Sequence, residues 1–241
     1  KIIEEFSIER YREVDSIYGV NDKTVILNKE QEYVFNEINS KLNTHEIFLL
    51  HGITGSGKTE IYLNIIEEVI NQGKEAIMLV PEISLTPMMV ARFKGRFSDK
   101  VALLHSALSK GEKYDEWRKV KRKEVQVVVG ARSAIFAPFE NLGVIIIDEE
   151  HTDSYKQVDS PSYHAKDVAI VRSKNYNIPL ILGSATPSIE SYYKSLNKEY
   201  TLLEMNHRAN NTKLPLVYIE DMRFEFQGGN RSIFSKRLES L

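Results

Sequence analysis

Short apolar runs and amphipathic stretches alternate along most of the 241-residue chain. Unbroken apolar runs of this kind are typical of strands that are buried on both faces of a parallel sheet. They lie at Ile47–Leu50, Ala76–Val80, Val101–His105, Val125–Val129, Leu142–Ile147 and Leu180–Leu182. Because a helical pattern follows most of these runs, we predict an α/β fold with a doubly wound, mostly parallel sheet.

The stretches between the runs carry apolar residues three or four positions apart, which predicts amphipathic helices. The first helix should begin after Asn28, whose side chain can form a capping box with Gln31. Its buried stripe is predicted to consist of Tyr33, Val34, Ile38 and Leu42. Further helices are predicted after Lys58 and over Leu85–Phe97, Ser109–Lys121 (with Trp117 inward), His164–Ser173 and Ile189–Leu196.

The two ends of the chain have weaker patterns. Residues 1–27 are charged and irregular, and we interpret them as a linker, a short helix or the end of a preceding domain. Residues 28–205 should form one lobe, and residues 206–241 a connector with a strand at Leu216–Ile219 and a terminal helix after Gly228–Asn230. Since the chain starts with Lys1 rather than methionine, we expect it to be a fragment of a longer protein.

One glycine-rich segment stands directly between a predicted strand and a predicted helix. It reads G-x-x-x-x-G-K-T, with the residues Gly52, Ile53, Thr54, Gly55, Ser56, Gly57, Lys58 and Thr59. Its glycines let backbone N–H groups and the helix N-terminus approach a phosphate. Lys58 would bind the β- and γ-phosphates, and the Thr59 hydroxyl would bind Mg²⁺. The segment predicts a nucleoside triphosphate site, and a glycine-rich surface turn is the alternative.

Acidic residues follow the fifth apolar run, where a strand would reach the carboxyl edge of the sheet. Ligands of open α/β sheets bind at this edge. Asp148 should face Mg²⁺ opposite Thr59, and Glu149 should orient and deprotonate the attacking water. His151 is a candidate link between the γ-phosphate and the strand that carries Gly183–Thr186, or else an ordinary loop histidine.

Gln31 has two interpretations. It lies about twenty residues before the glycine-rich segment, and an amide there could read adenine, whose edge offers both a donor and an acceptor. The alternative is that Gln31 is only the capping partner of Asn28.

Composition restricts the partners and the compartment. The formal net charge is −2, so nucleic acid would have to bind at a local surface. The chain has no cysteine, which excludes disulfides and a zinc–thiolate site within it. It has neither an apolar run of membrane-spanning length nor a signal peptide, so we expect a soluble, cytoplasmic protein without a membrane partner.

The acidic motif Asp148–His151, the segment Ser184–Thr186 and the glycine-rich segment together resemble the first motor lobe of DEAH-type superfamily 2 helicases. Other segments are similar to the primosomal replication-restart helicases, the PriA (primosomal protein N′) family. They are Leu79–Thr86, His105–Ser106, Gly130–Ala134, Ser154–Gln157, Tyr163–Asp167, Gly183–Ser188, Asp221–Arg223 and Gly229–Phe234. The resemblance covers about residues 28–241.

This resemblance implies a RecA-like lobe that binds ATP and Mg²⁺ within an ATP-dependent 3′→5′ DNA helicase. Such helicases act in replication restart and primosome assembly on single-stranded and forked DNA, with other primosome proteins and single-strand-binding proteins. Zinc and the second motor lobe are expected only in the part of such proteins that this chain lacks. The alternatives are another superfamily 2 DNA translocase and a module that binds nucleotide without turnover.

The loop after the acidic motif combines aromatic, amide and cationic side chains. Such side chains suit single-stranded DNA, because stacking on bases tolerates any sequence. The candidates are Tyr155, Lys156, Gln157, Tyr163 and His164. Further candidates for contacts with DNA phosphates are Ser84, Thr86, Arg132 and Ser133. The alternatives are tyrosines that only pack the loop and an arginine that pairs with a nearby acid.

Overall fold

The computed structural model describes residues 25–209 and 216–240. Most of the predicted linker over residues 1–27 lies outside the described residues, and residues 25–27 have no regular secondary structure. The chain divides between Asn210 and Asn211 into two compact units. No helix in the described part of the chain is long and apolar enough to cross a membrane.

Among the described residues, seven parallel strands form the sheet of the first unit, which confirms the predicted α/β fold. The strands of the described residues are β1 (Ile47–Gly52), β2 (Glu75–Leu79), β3 (Val101–Leu104), β4 (Val127–Gly130), β5 (Leu142–Ile147), β6 (Lys156–Gln157), β7 (Tyr163–His164), β8 (Leu180–Ser184) and β9 (Thr201–Met205). The order across the sheet is β3-β4-β2-β5-β8-β1-β9, and β6 and β7 form a separate antiparallel hairpin.

Both faces of the sheet carry an apolar core, because successive side chains of a strand point to opposite faces. In β5, Val144 and Ile146 belong to one core, whereas Ile145 and Ile147 belong to the other. This burial on both faces explains the unbroken apolar runs of the sequence.

Helices cover the two faces. The helices of the described residues are α1 (Lys29–Asn39), α2 (Lys58–Asn71), α3 (Pro87–Phe97), α4 (Lys110–Lys121), α5 (Ala165–Tyr176), α6 (Ile189–Leu196), α7 (Met222–Gln227) and α8 (Lys236–Glu239). Residues of α1, α2 and α3 pack in the core with Ile146, and residues of α4 and α5 pack in the core with Ile145. The capping box of α1 is formed, since each side chain of Asn28 and Gln31 accepts a bond of 2.9 Å from the other's backbone N–H.

Three details of the sequence prediction are wrong. Tyr33 is exposed, because Val34 and Ile38 define the buried line of α1 and Tyr33 lies about 100° away from it around the helix. Leu216–Ile219 has no regular secondary structure and is exposed. Strand β9 of the sheet was not predicted, because its polar Thr201 and Glu204 interrupt the apolar pattern; among the described residues it lies at the edge of the sheet beside β1.

The second unit consists of two short helices held by local polar contacts. The predicted terminal helix is present as α8, whereas α7 was not predicted. Asn230 donates to Glu225 (2.8 Å) and to the carbonyl of Phe234 (2.9 Å) and so fixes the turn between the helices. The guanidinium of Arg237 lies 3.4 Å from the centre of the Tyr218 ring.

Candidate functional site

Three turns meet at the carboxyl edge of the sheet because their strands are neighbours. β8 lies between β1 and β5, and all three strands are parallel. The glycine-rich segment leaves β1, Asp148–His151 leaves β5, and the residues after Ser184 leave β8. Since adjacent strands lie about 4.8 Å apart, the turns after β1 and β5 are about 10 Å apart, with the β8 turn between them.

The turn after β1, which we call the phosphate loop (residues 53–57), has the backbone that an anion site requires. Gly55 and Gly57 have φ of 82° and 87°, which favours glycine. Gly57 is also the residue before α2, so the positive end of this helix opens at the loop. Lys58 is buried, and its ammonium donates to the carbonyl of Gly52 over 2.6 Å.

One polar atom of the phosphate loop lacks a partner. The Ser56 hydroxyl is buried and makes no hydrogen bond. It lies at the base of the loop, where a Cβ on Gly52 would meet it at 2.7 Å, and a buried hydroxyl without a partner is costly. The two left-handed glycines and the buried ammonium fit a phosphate group.

Gln31 supports the phosphate loop from outside. Its amide nitrogen donates to the carbonyl of Ser56 over 3.0 Å, while its amide oxygen caps α1. A Cβ on Gly57 would lie 2.2 Å from this nitrogen, so a glycine is required there. Each end of the amide makes one hydrogen bond within the protein and keeps a second donor or acceptor site, so the interpretation that Gln31 reads adenine stays a prediction.

Two tyrosines hold Asp148 at the end of β5. The buried Tyr62 of α2 donates its hydroxyl to the Asp148 carboxylate (3.0 Å), and Tyr155 donates to the Asp148 backbone carbonyl (2.6 Å). Burial, followed by the charge of Glu149, raises the pKa of Asp148 from about 3.8 to about 6. The hydrogen bond from Tyr62 and the positive charge of Lys58 act in the opposite direction.

Lys58 follows the turn after β1 and Asp148 follows β5, and the charge of Lys58 lowers the pKa of Asp148. Thr59 is the second residue of α2 and is half-buried beside Lys58. A threonine hydroxyl and a carboxylate are oxygen ligands of the kind that Mg²⁺ takes, usually with several waters. The residues present therefore fit a magnesium ion next to a phosphate.

The residues after Asp148 connect β5 to the β8 turn. Glu149 has a φ of 47°, an uncommon value for a residue other than glycine. His151 shares a hydrogen bond of 2.8 Å with the Ser184 hydroxyl, and its Nδ1 lies 3.6 Å from the Glu149 carboxylate. His151 thus contacts both the acidic motif and β8, the strand that carries Ser184.

Glu150 is a residue of this site that the sequence prediction missed. Its carboxylate is buried and accepts hydrogen bonds from Lys166 (2.9 Å), from the Ser188 N–H (2.7 Å) and hydroxyl (3.1 Å), and from Ser191 (2.8 Å). These donors lower its pKa, although burial opposes them. Glu150 therefore ties the acidic motif to the start of α5 and to the start of α6. Its only signal in the sequence was its place beside Glu149.

The loop between the acidic motif and α5 folds as the β6–β7 hairpin. Tyr155 is buried under this hairpin, so the prediction that it stacks on DNA bases does not hold in this structure. Lys156 is exposed, and Gln157 and Tyr163 are half-buried. His164 is half-buried as well, and its ring accepts the N–H of Lys166 at the start of α5 (3.2 Å).

Arg132 braces the hairpin rather than pairing with an acid. Its guanidinium donates to the carbonyls of Lys156 and Ser154 and lies 5.9 Å from the centre of the Tyr163 ring. Phe136 packs edge-on against the same ring, with 4.9 Å between the centroids. Tyr163 is thus held by two side chains of the one 3₁₀ turn, Arg132–Phe136, that follows β4.

The remaining predicted DNA contacts lie at the same sheet edge. Ser133 is exposed and lines a cavity of about 160 Å³ with His105, Lys113 and Trp117. Burial and the charge of Lys113 lower the pKa of His105. Ser84 is half-buried in a 3₁₀ turn after β2. The exposed Thr86 caps α3 by accepting the Met89 N–H over 3.3 Å.

Comparison with protein families finds one matching family model. The ResIII model, described as the res subunit of type III restriction enzyme, matches residues 24–189.

Curated relatives match most of this chain. Replication restart protein PriA of Bacillus subtilis (strain 168) is 61% identical over 214 residues, which cover 88% of this chain and 27% of that protein. Replication restart protein PriA of Haemophilus influenzae (strain Rd) is 44% identical over 204 residues, which cover 84% of this chain and 28% of that protein. The chain therefore spans about a quarter of the length of the curated relatives it matches.

Solved structures share the fold at lower identity. The Pyrococcus furiosus Hef helicase domain is similar with a TM-score of 0.52 and 21% identity, over 75% of this chain and 38% of that one. RecG bound to a three-way DNA junction is similar with a TM-score of 0.54 and 22% identity, over 79% of this chain and 24% of that one. At this identity the likeness supports the fold alone.

The contact between α2 and β8 makes a prediction about Gly183. A Cβ at Gly183 would lie 1.7 Å from the Tyr62 hydroxyl and 2.9 Å from the ring carbon that carries it. We expect Gly183→Ala to lower the free energy of unfolding by about 2 kcal/mol or more, because the buried side chain of Tyr62 would have to be displaced. Urea denaturation measures this loss.

Tyr62→Phe provides the control for the Gly183 prediction. In the double variant the hydroxyl clash is gone and only the milder ring contact remains, so Tyr62→Phe should restore part of the stability that Gly183→Ala removes. Strictly additive losses in the two single variants would contradict this contact.

The raised pKa of Asp148 makes a second prediction, for the chain without Mg²⁺. Since the folded pKa of about 6 exceeds the unfolded value near 3.8, burying the carboxylate reduces stability progressively as the pH rises from about 4 to 6. Asp148→Asn removes this penalty, which is at most about 3 kcal/mol. We therefore expect Asp148→Asn to stabilise the chain at pH 8 and to have little effect at pH 4.

Urea denaturation at the two pH values, without Mg²⁺, measures the effect of Asp148→Asn. Asp159→Asn, which changes an exposed acid in the hairpin loop, is the matched control and should show no such dependence. An equal effect of Asp148→Asn at both pH values would contradict the linkage.

Proposed function

The chain belongs to the ResIII family, in which it corresponds to the first motor lobe of the PriA replication restart proteins, and we propose that it binds ATP and Mg²⁺ at the phosphate loop. The observation that carries this proposal is the joint position of Lys58 and Asp148. They follow different strands that end at the same edge of the sheet, and the charge of Lys58 lowers the pKa of Asp148. The left-handed backbone of Gly55 and Gly57 gives independent support.

Each residue of the proposed ATP site has a distinct task. The N–H groups of the phosphate loop and the start of α2 bind the phosphates, and the Lys58 ammonium exchanges the Gly52 carbonyl for a phosphate oxygen. Thr59 and Asp148 hold Mg²⁺, which supplies neutralisation of the phosphate charge when bound. The remaining two positions, Glu149 and His151, act on the water and on the β8 turn.

Glu149 is proposed as the residue that orients and deprotonates the attacking water. Its left-handed backbone turns it away from the course of β5, and it stands next to His151. His151 links this position to Ser184 and so to the turn after β8. A shift of Glu149 on hydrolysis would therefore reach the β8 turn through one hydrogen bond.

We propose that DNA contacts the exposed side of the β6–β7 hairpin. Lys156 offers a cation, and Gln157, Tyr163 and His164 offer polar and aromatic groups beside it. Arg132 and Tyr155 act from beneath by holding the hairpin on the sheet. Tyr155 lies under the hairpin and donates a hydrogen bond to the backbone of Asp148. A movement of the hairpin on DNA binding would therefore displace Asp148 in the ATP site.

Ser84, Thr86 and Ser133 are proposed as further contacts to the phosphates of the same DNA strand. All three stand in turns that follow neighbouring strands, β2 and β4. Hydroxyl groups there would fix the register of the strand without reading its sequence.

For the longer protein we propose an ATP-dependent 3′→5′ DNA helicase that acts on single-stranded and forked DNA in replication restart and primosome assembly. The curated relatives, named replication restart protein PriA, support the part in replication restart. We propose further that the longer protein acts with other primosome proteins and with single-strand-binding proteins. It would bind zinc outside this chain and would be located in the cytoplasm. We also propose that residues 28–205 form the motor lobe and that residues 206–241 form a connector.

The chain alone is proposed to bind nucleotide more readily than to hydrolyse it. Phosphoryl-transfer sites commonly take an arginine from a second unit, which contributes about 10³–10⁵ in rate. A translocase of another ResIII branch would share the ATP site but not the segments similar to PriA.

The nucleotide proposal predicts the effect of Lys58→Ala. Hydrogen bonds to charged groups are worth about 1.5–3 kcal/mol, so ATP should bind roughly 10- to 150-fold more weakly. Calorimetric titration of the chain with ATP and Mg²⁺ measures this loss. Lys121→Ala, an exposed lysine at the end of α4, is the control. Wild-type affinity in Lys58→Ala would refute the phosphate site.

The hairpin proposal predicts that Lys156→Ala in the longer protein lowers the ratio of DNA-stimulated to DNA-free ATP hydrolysis. The expected reduction is several-fold, because one phosphate contact is lost at an exposed position. Steady-state ATPase assays with single-stranded DNA at two salt concentrations measure it, and the difference should shrink at high salt. Lys121→Ala serves as the control. An unchanged ratio would mean that the hairpin is only structural.

A further inference from the structure

The segment that leaves β9, Asn206–Ala209, lies against the phosphate loop. We call it the exit segment. The backbone N–H of Ala209 donates to the carbonyl of Gly55 over 2.9 Å. At its start, the N–H of Ile53 donates to the carbonyl of Met205 over 3.2 Å. The two hydrogen bonds fix the exit segment to the first half of the loop.

Arg208 of the exit segment runs beside Gly55. A Cβ on Gly55 would lie 3.8 Å from the Cγ and Cδ atoms of Arg208 and 3.9 Å from its Nε. The Nε atom is buried and has no hydrogen-bond partner. An arginine carries five N–H donors and no acceptor, so a buried donor without a partner is costly at this position.

The acids near Arg208 are engaged elsewhere. Glu30 accepts from the ring and from the backbone N–H of His207, over 2.6 and 3.2 Å. Glu204 lies 3.8 Å from the ring of His51. Among the residues that the structure describes, no carboxylate forms an ion pair with Arg208, whereas other arginines of the unit, such as Arg92 and Arg96, do have acidic partners.

From these observations we infer that Arg208 is a second cationic contact for the phosphates of the bound nucleotide. This inference rests on the proposed function of the phosphate loop and extends it. Arg208 comes from the end of the lobe, whereas Lys58 comes from the helix after β1. A guanidinium forms two parallel hydrogen bonds with phosphate oxygens, which a lysine cannot do. The orphan Nε–H would then have an acceptor.

The phosphate contact is favoured over stacking on the base by two features. The side chain follows Gly55, a residue of the loop that cradles phosphate, and its unpartnered group is an N–H donor rather than an exposed flat face. Buried donors require acceptors, and phosphate oxygens are the acceptors that this loop is built to bind.

Calorimetric titration of the chain with ATP, with ADP and with inorganic triphosphate, each with Mg²⁺, tests the inference. Arg208→Met should weaken all three by roughly tenfold, which is about 1.4 kcal/mol. Arg208→Lys should lose less, because it keeps the charge. Arg122→Met is the matched control, since this exposed arginine ends α4 at the opposite edge of the sheet and its substitution should leave binding unchanged.

The thermal unfolding midpoint of each variant without ligand separates binding from folding. Should Arg208→Met fail to fold, Arg208→Gln takes its place, because it keeps a polar end, and the same tenfold loss is expected. A folded neutral variant with wild-type affinity for all three ligands overturns the inference and leaves the phosphate site intact.

Two further outcomes overturn it in other ways. A loss for ATP and ADP with unchanged triphosphate binding assigns Arg208 to the base. A wild-type chain that binds none of the three ligands overturns the phosphate site itself and Arg208 with it.

Discussion

All seven strands of the sheet run in one direction, and every other feature of the site depends on this constraint. It brings the turns after β1, β5 and β8 to the same edge, although about ninety residues separate Lys58 from Asp148. Parallel strands need helical crossovers on both faces, and these crossovers supply the two apolar cores. The residues of the site are thus held in place by two apolar cores that take no part in the chemistry themselves.

Several groups of the site are held in a costly arrangement. Asp148 is kept close to Glu149 in a poorly hydrated position, Glu149 adopts a left-handed backbone, and Ser56 has an unsatisfied hydroxyl. Each feature reduces stability by itself, and the packed sheet beneath compensates for them. A cation and a phosphate would relieve several of these penalties together, which is how a preorganised site gains affinity.

The sequence was informative wherever a local pattern decides the structure. The phosphate loop, the apolar runs and the capping box of α1 each depend on neighbouring residues, and the structure contains all three. β9 was not predicted, because a strand at the edge of a sheet can carry polar residues between its apolar ones. Tyr62 and Tyr155 could not be placed, since their partner is reached across the fold, and nothing local distinguishes a tyrosine that binds Asp148 from one that stacks on a base. Glu150 was not predicted either, because its partners Lys166, Ser188 and Ser191 are likewise reached across the fold.

The buried carboxylate of Glu150 has a mechanical consequence. Its two oxygens serve four donors, which belong to α5, to the turn before α6 and to α6 itself. The carboxylate cannot move with one of these donors without stretching its hydrogen bonds to the others. A displacement of the beginning of α5 would therefore act on the beginning of α6 through a single side chain.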